Sequence, residues 1–246
     1  EKHNITHVIH LAAESHVDNS IKDPDAFVNS NIVGTFNLLK ACRQFPVKRL
    51  HHVSTDEVYG TLSEQDEKFT EATPYDPRNP YSATKAASDF LVNSYYHTYR
   101  LPVTLSNCCN NYGPRQHREK FIPTIIGALT AESKIPLYGD GKNIRDWIYV
   151  TDHCEALWEV FQRGTIGETY CIGSNCEKRN IEIIETICEL MNIEPDKHIE
   201  YVSDRLGHDY RYAINSSKIE KELGWKPKTS FTEGIEKTIR WYNEKN

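Results

Sequence analysis

The stretch Arg49-Leu-His-His-Val-Ser-Thr-Asp-Glu-Val-Tyr-Gly60 reads as a β-strand over Arg49 to Thr55 that runs out into two adjacent carboxylates. Downstream, Tyr81 to Tyr99 has helical periodicity and Val103 to Cys108 is again strand-like. Upstream, Ile5 to Ala13 is a compact β-rich run. From about Asp25 to Gln44, Phe27, Ile32, Phe36 and Leu39 recur at helical spacing. Pro46 and Pro102 punctuate the links. Strand and helix in alternation predict βαβ units around a parallel sheet. In such a sheet, ligands bind where the strands end at their carboxyl side, which is where Asp56 and Glu57 fall.

After Tyr112-Gly-Pro114 the rhythm loosens, with Pro123, Pro136 and Gly139-Asp-Gly141 marking loops. Trp147 to Val150 and Glu168 to Ile172 read as short strands, Asp152 to Gln162 and Ile181 to Met191 as helices. The charged tail from Ser216, with Leu223, Trp225, Ile235 and Trp241, reads as short surface helices. The expected architecture is an α/β, Rossmann-type doubly wound parallel sheet with a smaller, interleaved C-terminal substrate-binding domain. Residues 1–111 and 146–173 form the first unit, 112–145 and 174–246 the second.

The 246 residues carry 29 Lys and Arg against 35 Asp and Glu, a net charge of −6, which argues against nucleic acid or an anionic membrane as the main partner. No apolar run approaches the ~20 residues of a membrane-spanning helix. Seven scattered cysteines without Cys-x-x-Cys suit a reducing cytoplasm and no cysteine-built zinc site. His51 and His52, on successive strand positions, face opposite sides and do not predict a metal site. A dinucleotide fold normally opens with a glycine-rich turn after its first strand. None of the twelve glycines supplies one, and the only methionine is Met191, so the expectation is that the first strands lie upstream of residue 1.

Tyr81-Ser-Ala-Thr-Lys85 places a phenol and an ammonium four residues apart on one helix face. To act as a base at neutral pH the phenol must fall by roughly three pKa units, about 4 kcal/mol, and a neighbouring ammonium favours that. The spacing alone is common on helix surfaces. Two acids at the strand exit add acid/base capacity, although acids also simply solvate such exits.

Together, His10-Leu-Ala-Ala-Glu-Ser-His-Val-Asp18, Ser54-Thr-Asp-Glu-Val-Tyr-Gly60, Asn79-Pro-Tyr-Ser-Ala-Thr-Lys85, Asn107-Cys-Cys-Asn-Asn-Tyr-Gly-Pro114, Arg145-Asp-Trp147 and Asp204-Arg-Leu-Gly-His-Asp209 resemble the dTDP-glucose 4,6-dehydratases, NAD-dependent members of the extended short-chain dehydrogenase/reductase group. The resemblance spans essentially the whole chain. Thr-Asp-Glu is its most specific part, since related epimerases and decarboxylases usually carry Ser or Thr in place of the acidic pair and GDP-mannose dehydratases typically show Thr-Ser-Glu.

The resemblance implies a lyase. Tyr81 takes the proton of the C4 hydroxyl as hydride passes to NAD, Lys85 holds the nicotinamide ribose and lowers the tyrosine pKa, and Thr55 hydrogen-bonds the reacting sugar. Glu57 removes the C5 proton and Asp56 protonates the departing C6 hydroxyl. This division of labour requires Asp56 to be the more buried carboxyl, kept protonated. Leu11, Ala12, Ala13, Glu14, Ser15, Ser30 and Asn111 are implied cofactor contacts. Ser15, Asn110, Lys120, Phe121, Asp204 and His208 are implied substrate contacts, Arg145 and Arg205 forks for the diphosphate, and Pro136, Leu137, Tyr138 and Asn180 the holders of thymine and its sugar. For Leu137, ordinary core is an equal alternative. A homodimer through a four-helix interface and a cytoplasmic location are implied too.

Two departures stand out. Leu206 occupies the place of a proline, which predicts a looser substrate loop, and Arg115-Gln-His-Arg118 adds positive charge beside the site mouth. Two other readings stay open: a UDP-sugar 4-epimerase or decarboxylase, which would need no elimination acids, and a non-catalytic fragment without the phosphate loop.

Overall fold

The computed structural model describes residues 3–204 and 206–244. The alternation in the sequence becomes a four-stranded parallel sheet in the order β1 (His7–His10), β2 (Arg49–Thr55), β3 (Val103–Cys108), β7 (Thr169–Ile172). Its register pairs His10 with His52, Thr55 with Cys108, and Cys108 with Ile172, so β2, β3 and β7 end level and β1 ends three residues earlier. The chain therefore leaves β1 at Leu11, β2 at Asp56 and β3 at Cys109 along one edge.

The crossover from β1 to β2 runs through α1 (Val17–Lys22), α2 (Pro24–Phe27), a π-helical turn (Val28–Val33) and α3 (Gly34–Gln44). The single helix expected from Asp25 to Gln44 thus contains one wide turn. That turn is where Asn31 is drawn inward, 2% exposed. From β2 the chain enters a 3₁₀ turn, Asp56–Tyr59, then α4 (Pro80–Tyr99). Asn79 and Ser82 cap α4 reciprocally: Asn79 Oδ1 accepts the Ser82 N–H at 2.9 Å and Ser82 Oγ accepts the Asn79 N–H at 3.2 Å. This fixes the first turn of α4, and Tyr81 with it.

Beyond β3, β4 (Asn110–Tyr112) pairs with β6 (Ile144–Tyr149), and β6 with the antiparallel β8 (Glu177–Arg179); β5 (Ile135–Tyr138) pairs with β9 (Ile199–Val202). A second core forms where α5 (Phe121–Thr130), α7 (Asn180–Met191) and α9 (Phe231–Glu244) pack through Ile122, Ile125, Ile183, Ile187 and Ile235. Helix α6 (Val150–Arg163) and α8 (Ser217–Leu223) cover the main sheet through Leu157, Val160, Ile219 and Leu223. The tail is not a set of short surface helices: α9 runs fourteen residues and buries Phe231, Ile235, Thr238, Ile239 and Tyr242. Their spacing of four, three, one and three is one face of a helix. No helix among the described residues is long and apolar enough to cross a membrane.

Candidate active site

The ends of β2 and β3, the first turn of α4 and the start of α1 meet at an open cleft of about 770 Å³. Ser15, Glu57, Asn110, Asn111, Lys120, Phe121, Arg145 and His208 all line it. A second hollow of about 830 Å³ shares Asn110, Phe121, Arg145 and His208 and extends to Pro136, Leu137, Tyr138 and Asn180. Residues from eight separate segments are thus gathered along one trough. Gly141, at φ +71°, shapes its far end: a Cβ there would sit 2.8 Å from Leu137 Cδ2. Leu137 is both core and wall, 1% exposed yet bordering the hollow.

At the strand exit Thr55 caps the 3₁₀ turn, its Oγ1 accepting the Glu57 N–H at 3.3 Å. The turn sends the two carboxylates apart. Asp56 goes inward, 1% exposed, while Glu57 borders the cleft. Burial first, then the charges of Glu57 and Asp146, hold the Asp56 carboxyl well above the usual carboxylate range. Its Oδ2 is buried without a hydrogen-bond partner among the described residues. Asp56 is accordingly the acid-like member of the pair.

Tyr81 and Lys85 lie on the buried face of α4, 7% and 5% exposed. Their arrangement differs from the expectation that Lys85 lowers the tyrosine. Lys85 Nζ donates to the Val53 carbonyl at 2.8 Å, and burial lowers its own pKa. Burial and the nearby Glu57 push the Tyr81 phenol well up, opposed by a hydrogen bond with Thr55. With protein groups alone the phenol keeps its proton.

Several supporting residues carry no motif of their own. Asn31 Oδ1 accepts the Glu14 N–H at 2.9 Å, and its Nδ2 donates to the Glu14 carbonyl at 3.0 Å and to Thr84 Oγ1 at 2.9 Å. The loop Leu11 to Ser15 is thereby tied to the helix that bears Tyr81. Leu11, Ala12, Glu14 and Ser15 are exposed and Ala13 half-buried at the end of β1. Ser30 is exposed on the π turn, outside both hollows, and it is its neighbour Asn31 that reaches the loop. Beneath the strand exit, the fully buried Asp89 carboxylate accepts from Ser54 Oγ at 2.8 Å, Tyr75 Oη at 3.1 Å and Asn107 Nδ2 at 3.4 Å. His52 Nε2 lies 3.2 Å from the other Asp89 oxygen, off the line of a good hydrogen bond. His51 faces the opposite way, toward Thr104 Oγ1 at 2.9 Å and Ser106 Oγ at 3.0 Å. His16, Trp147 and Tyr212 also line the cleft. They were missed because each reads as an ordinary core or turn residue.

Arg145 borders both hollows, but its guanidinium is engaged by backbone. Nη1 donates to the Ile144 and Tyr210 carbonyls at 2.7 and 3.2 Å, Nη2 to Asp209 at 2.9 Å, and the group sits over the Tyr212 ring at 4.3 Å. As placed, it clamps the 209–212 segment rather than presenting a fork. Lys120 reaches across to the Ser15 carbonyl at 2.5 Å, and His208 Nδ1 pairs with Asp204 Oδ1 at 2.7 Å. Arg205 lies outside the described residues. Leu206 is 80% exposed.

A parallel sheet whose central strand exits into an acidic pair, facing a Tyr-x-x-x-Lys helix, defines an α/β enzyme of the short-chain dehydrogenase/reductase type. The chain belongs to the GDP-mannose 4,6 dehydratase family, whose model matches residues 1–238. Within that breadth it is 52% identical over 237 residues to the dTDP-glucose 4,6-dehydratase of Mycolicibacterium smegmatis, covering 96% of this chain and 71% of that one. To the dTDP-glucose 4,6-dehydratase of Xanthomonas campestris it is 49% identical over 259 residues, 98% and 74% of the two chains. The crystal structure of the dTDP-glucose 4,6-dehydratase of Streptomyces venezuelae, solved with NAD bound, matches with a TM-score of 0.95 at 43% identity, covering 97% of this chain and 73% of that one.

Proposed function

We propose that this chain performs the NAD-dependent 4,6-dehydration of dTDP-glucose to dTDP-4-keto-6-deoxyglucose and water. The observation that carries the reading is the split of the Thr55-Asp56-Glu57 exit into a buried, proton-holding acid and a cleft-facing carboxylate, both beside Tyr81. An epimerase has no use for that pair. The residues present fit the cofactor: the exposed Leu11 to Ser15 loop is pinned by Asn31, Lys85 lies buried on α4 with its ammonium on the strand end, and Asn111 Oδ1 is a buried acceptor without a partner among the described residues. Bound there, NAD would supply a hydride acceptor for C4 and, once reduced, a hydride donor for C6.

The chain's own groups do the proton work. Tyr81 receives the proton of the C4 hydroxyl. The ketone that results acidifies C5, where Glu57 removes a proton from the open side of the cleft while Asp56 gives its proton to the departing C6 hydroxyl. Thr55 hydrogen-bonds the oxygen on which charge develops. The thymidine end would occupy the hollow toward Pro136, Leu137, Tyr138 and Asn180, with Lys120 and His208 beside the diphosphate. The chain supplied with dTDP-glucose and NAD should form a 4-keto-6-deoxy sugar nucleotide, seen by its absorbance in alkali; formation of a galactose isomer instead would sink the reading.

A homodimer and a cytoplasmic site of action belong to the same proposal. The dimer is supported by exposed apolar residues on two adjacent helical stretches: Val28, Val33 and Phe36 on one, Phe90 and Tyr99 on α4. Sedimentation should give twice the chain mass at micromolar concentration; a monomer there rejects it.

A further inference from the structure

The dehydration leaves the protein, unlike the substrate, out of proton balance. Tyr81 gains the proton of the C4 hydroxyl and Asp56 loses one to the departing water. The proton that Glu57 takes from C5 is replaced at C5 when the hydride taken from C4 arrives at C6. Sugar nucleotide in equals sugar nucleotide plus water out, yet Tyr81 ends one proton richer and Asp56 one proton poorer. A second turnover requires that proton to move from the phenol to the carboxylate.

Neither group meets solvent readily, since Tyr81 is 7% and Asp56 1% exposed. Between them stands one hydroxyl. Thr55 hydrogen-bonds Tyr81, and its Oγ1 donates to Asp56 Oδ1 at 3.5 Å. Thr55 is itself buried, 7% exposed, and is held in place by the Glu57 N–H on its Oγ1. We infer that Thr55 is the internal return path: the Tyr81 O–H proton passes to Thr55 Oγ1 as the Thr55 hydroxyl proton passes to Asp56. One O–H bond breaks and one forms at Thr55, no electrons are exchanged, and the site is restored to phenolate and carboxylic acid. The orientation suits this, because Asp56 is turned inward beside the Thr55 hydroxyl while Glu57 faces the cleft, and the raised Tyr81 phenol would release its proton when the bound cofactor is again cationic.

This inference rests on the dehydratase reading above. It is tested in the NAD-loaded enzyme by rapid mixing of Thr55→Val and Thr55→Ser with excess dTDP-glucose. Thr55→Val should form one product equivalent per site and then slow at least ten-fold, with imidazole, a mobile proton carrier, accelerating only the slow phase. Thr55→Ser, which keeps the hydroxyl, should show no burst. In infrared difference spectra the protonated-carboxyl band that Asp56→Asn removes should vanish after the first turnover of Thr55→Val and recover at the slow-phase rate. Equal loss in first and later turnovers, or a slow phase indifferent to imidazole, overturns the inference and leaves the dehydratase reading intact. An unsubstituted enzyme that makes no 4-keto-6-deoxy product overturns both.

Discussion

At the scale of single residues, two neighbouring carboxyls behave differently because of how the chain turns between them. Thr55 has extended geometry and caps a 3₁₀ turn, so the next two side chains leave in different directions: Asp56 into the fold, Glu57 to the cleft. Replacing Asp56 by the isosteric Asn removes the proton donor and keeps the shape. Product formation by Asp56→Asn should fall by about 10²- to 10⁴-fold, while reduced-nicotinamide absorbance builds up under dTDP-glucose because oxidation at C4 no longer leads on to elimination. A stopped-flow trace showing full elimination rates would remove Asp56 from the mechanism. The sequence made this pair legible, since Thr-Asp-Glu at a strand end is a short, specific pattern. It did not reveal that Lys85 binds a carbonyl or that Arg145 is held by three. Those depend on where the Val53, Ile144, Tyr210 and Asp209 carbonyls come to rest, and backbone positions far along the chain leave no mark on the local pattern.

At the scale of elements, the alternation of strands and helices was readable because each helix needs one apolar face and each buried strand a short apolar run. The tail misread as surface illustrates the limit. Charges on the outer face of α9 mask an inner face that packs on Tyr112, whose hydroxyl donates to the Phe231 carbonyl at 3.2 Å. The π turn was hidden for another reason: Asn31 looks like a flaw in an apolar helix until the loop after β1 is seen to need its amide. That amide joins β1's exit loop to α4, and Thr84 passes the link on by donating to the Tyr81 carbonyl at 2.8 Å. Asn31→Ala leaves the Glu14 backbone N–H and carbonyl and the Thr84 hydroxyl without that partner. It should cost about 2 kcal/mol of stability and weaken NAD binding about ten-fold, as measured by denaturant unfolding and by calorimetric titration. A loss of stability with unchanged NAD affinity would reduce Asn31 to a purely structural role.

At the scale of the whole molecule, the sheet is unusual in burying imidazoles on both faces, and this governs its response to acid. His51 is pushed down to about 3, chiefly by burial and then by the charges of His52 and His153, and His153 to about 4 by burial alone. Both are lowered from an unfolded value near 6.5, so between pH 6.5 and about 4 the unfolded chain binds the extra protons and stability falls as pH falls. At pH 5 each such histidine costs about 2 kcal/mol, taking 1.36 kcal/mol per unit over one and a half units. Asp56 and Asp146 act with the opposite sign. Their folded values are raised, so the folded chain holds the protons and stability falls as pH rises through that window. The net profile is therefore a compromise, and the histidine part is isolated by a variant. His153 Nε2 is buried with no partner among the described residues, so His153→Leu removes the titration without stranding a hydrogen bond at that atom. Between pH 7 and pH 5, at equal NAD saturation, His153→Leu should lose about 2 kcal/mol less unfolding free energy than the parent. Parallel pH profiles for the two proteins would show that His153 binds its proton equally in folded and unfolded chains, contrary to its burial on the inner face of α6.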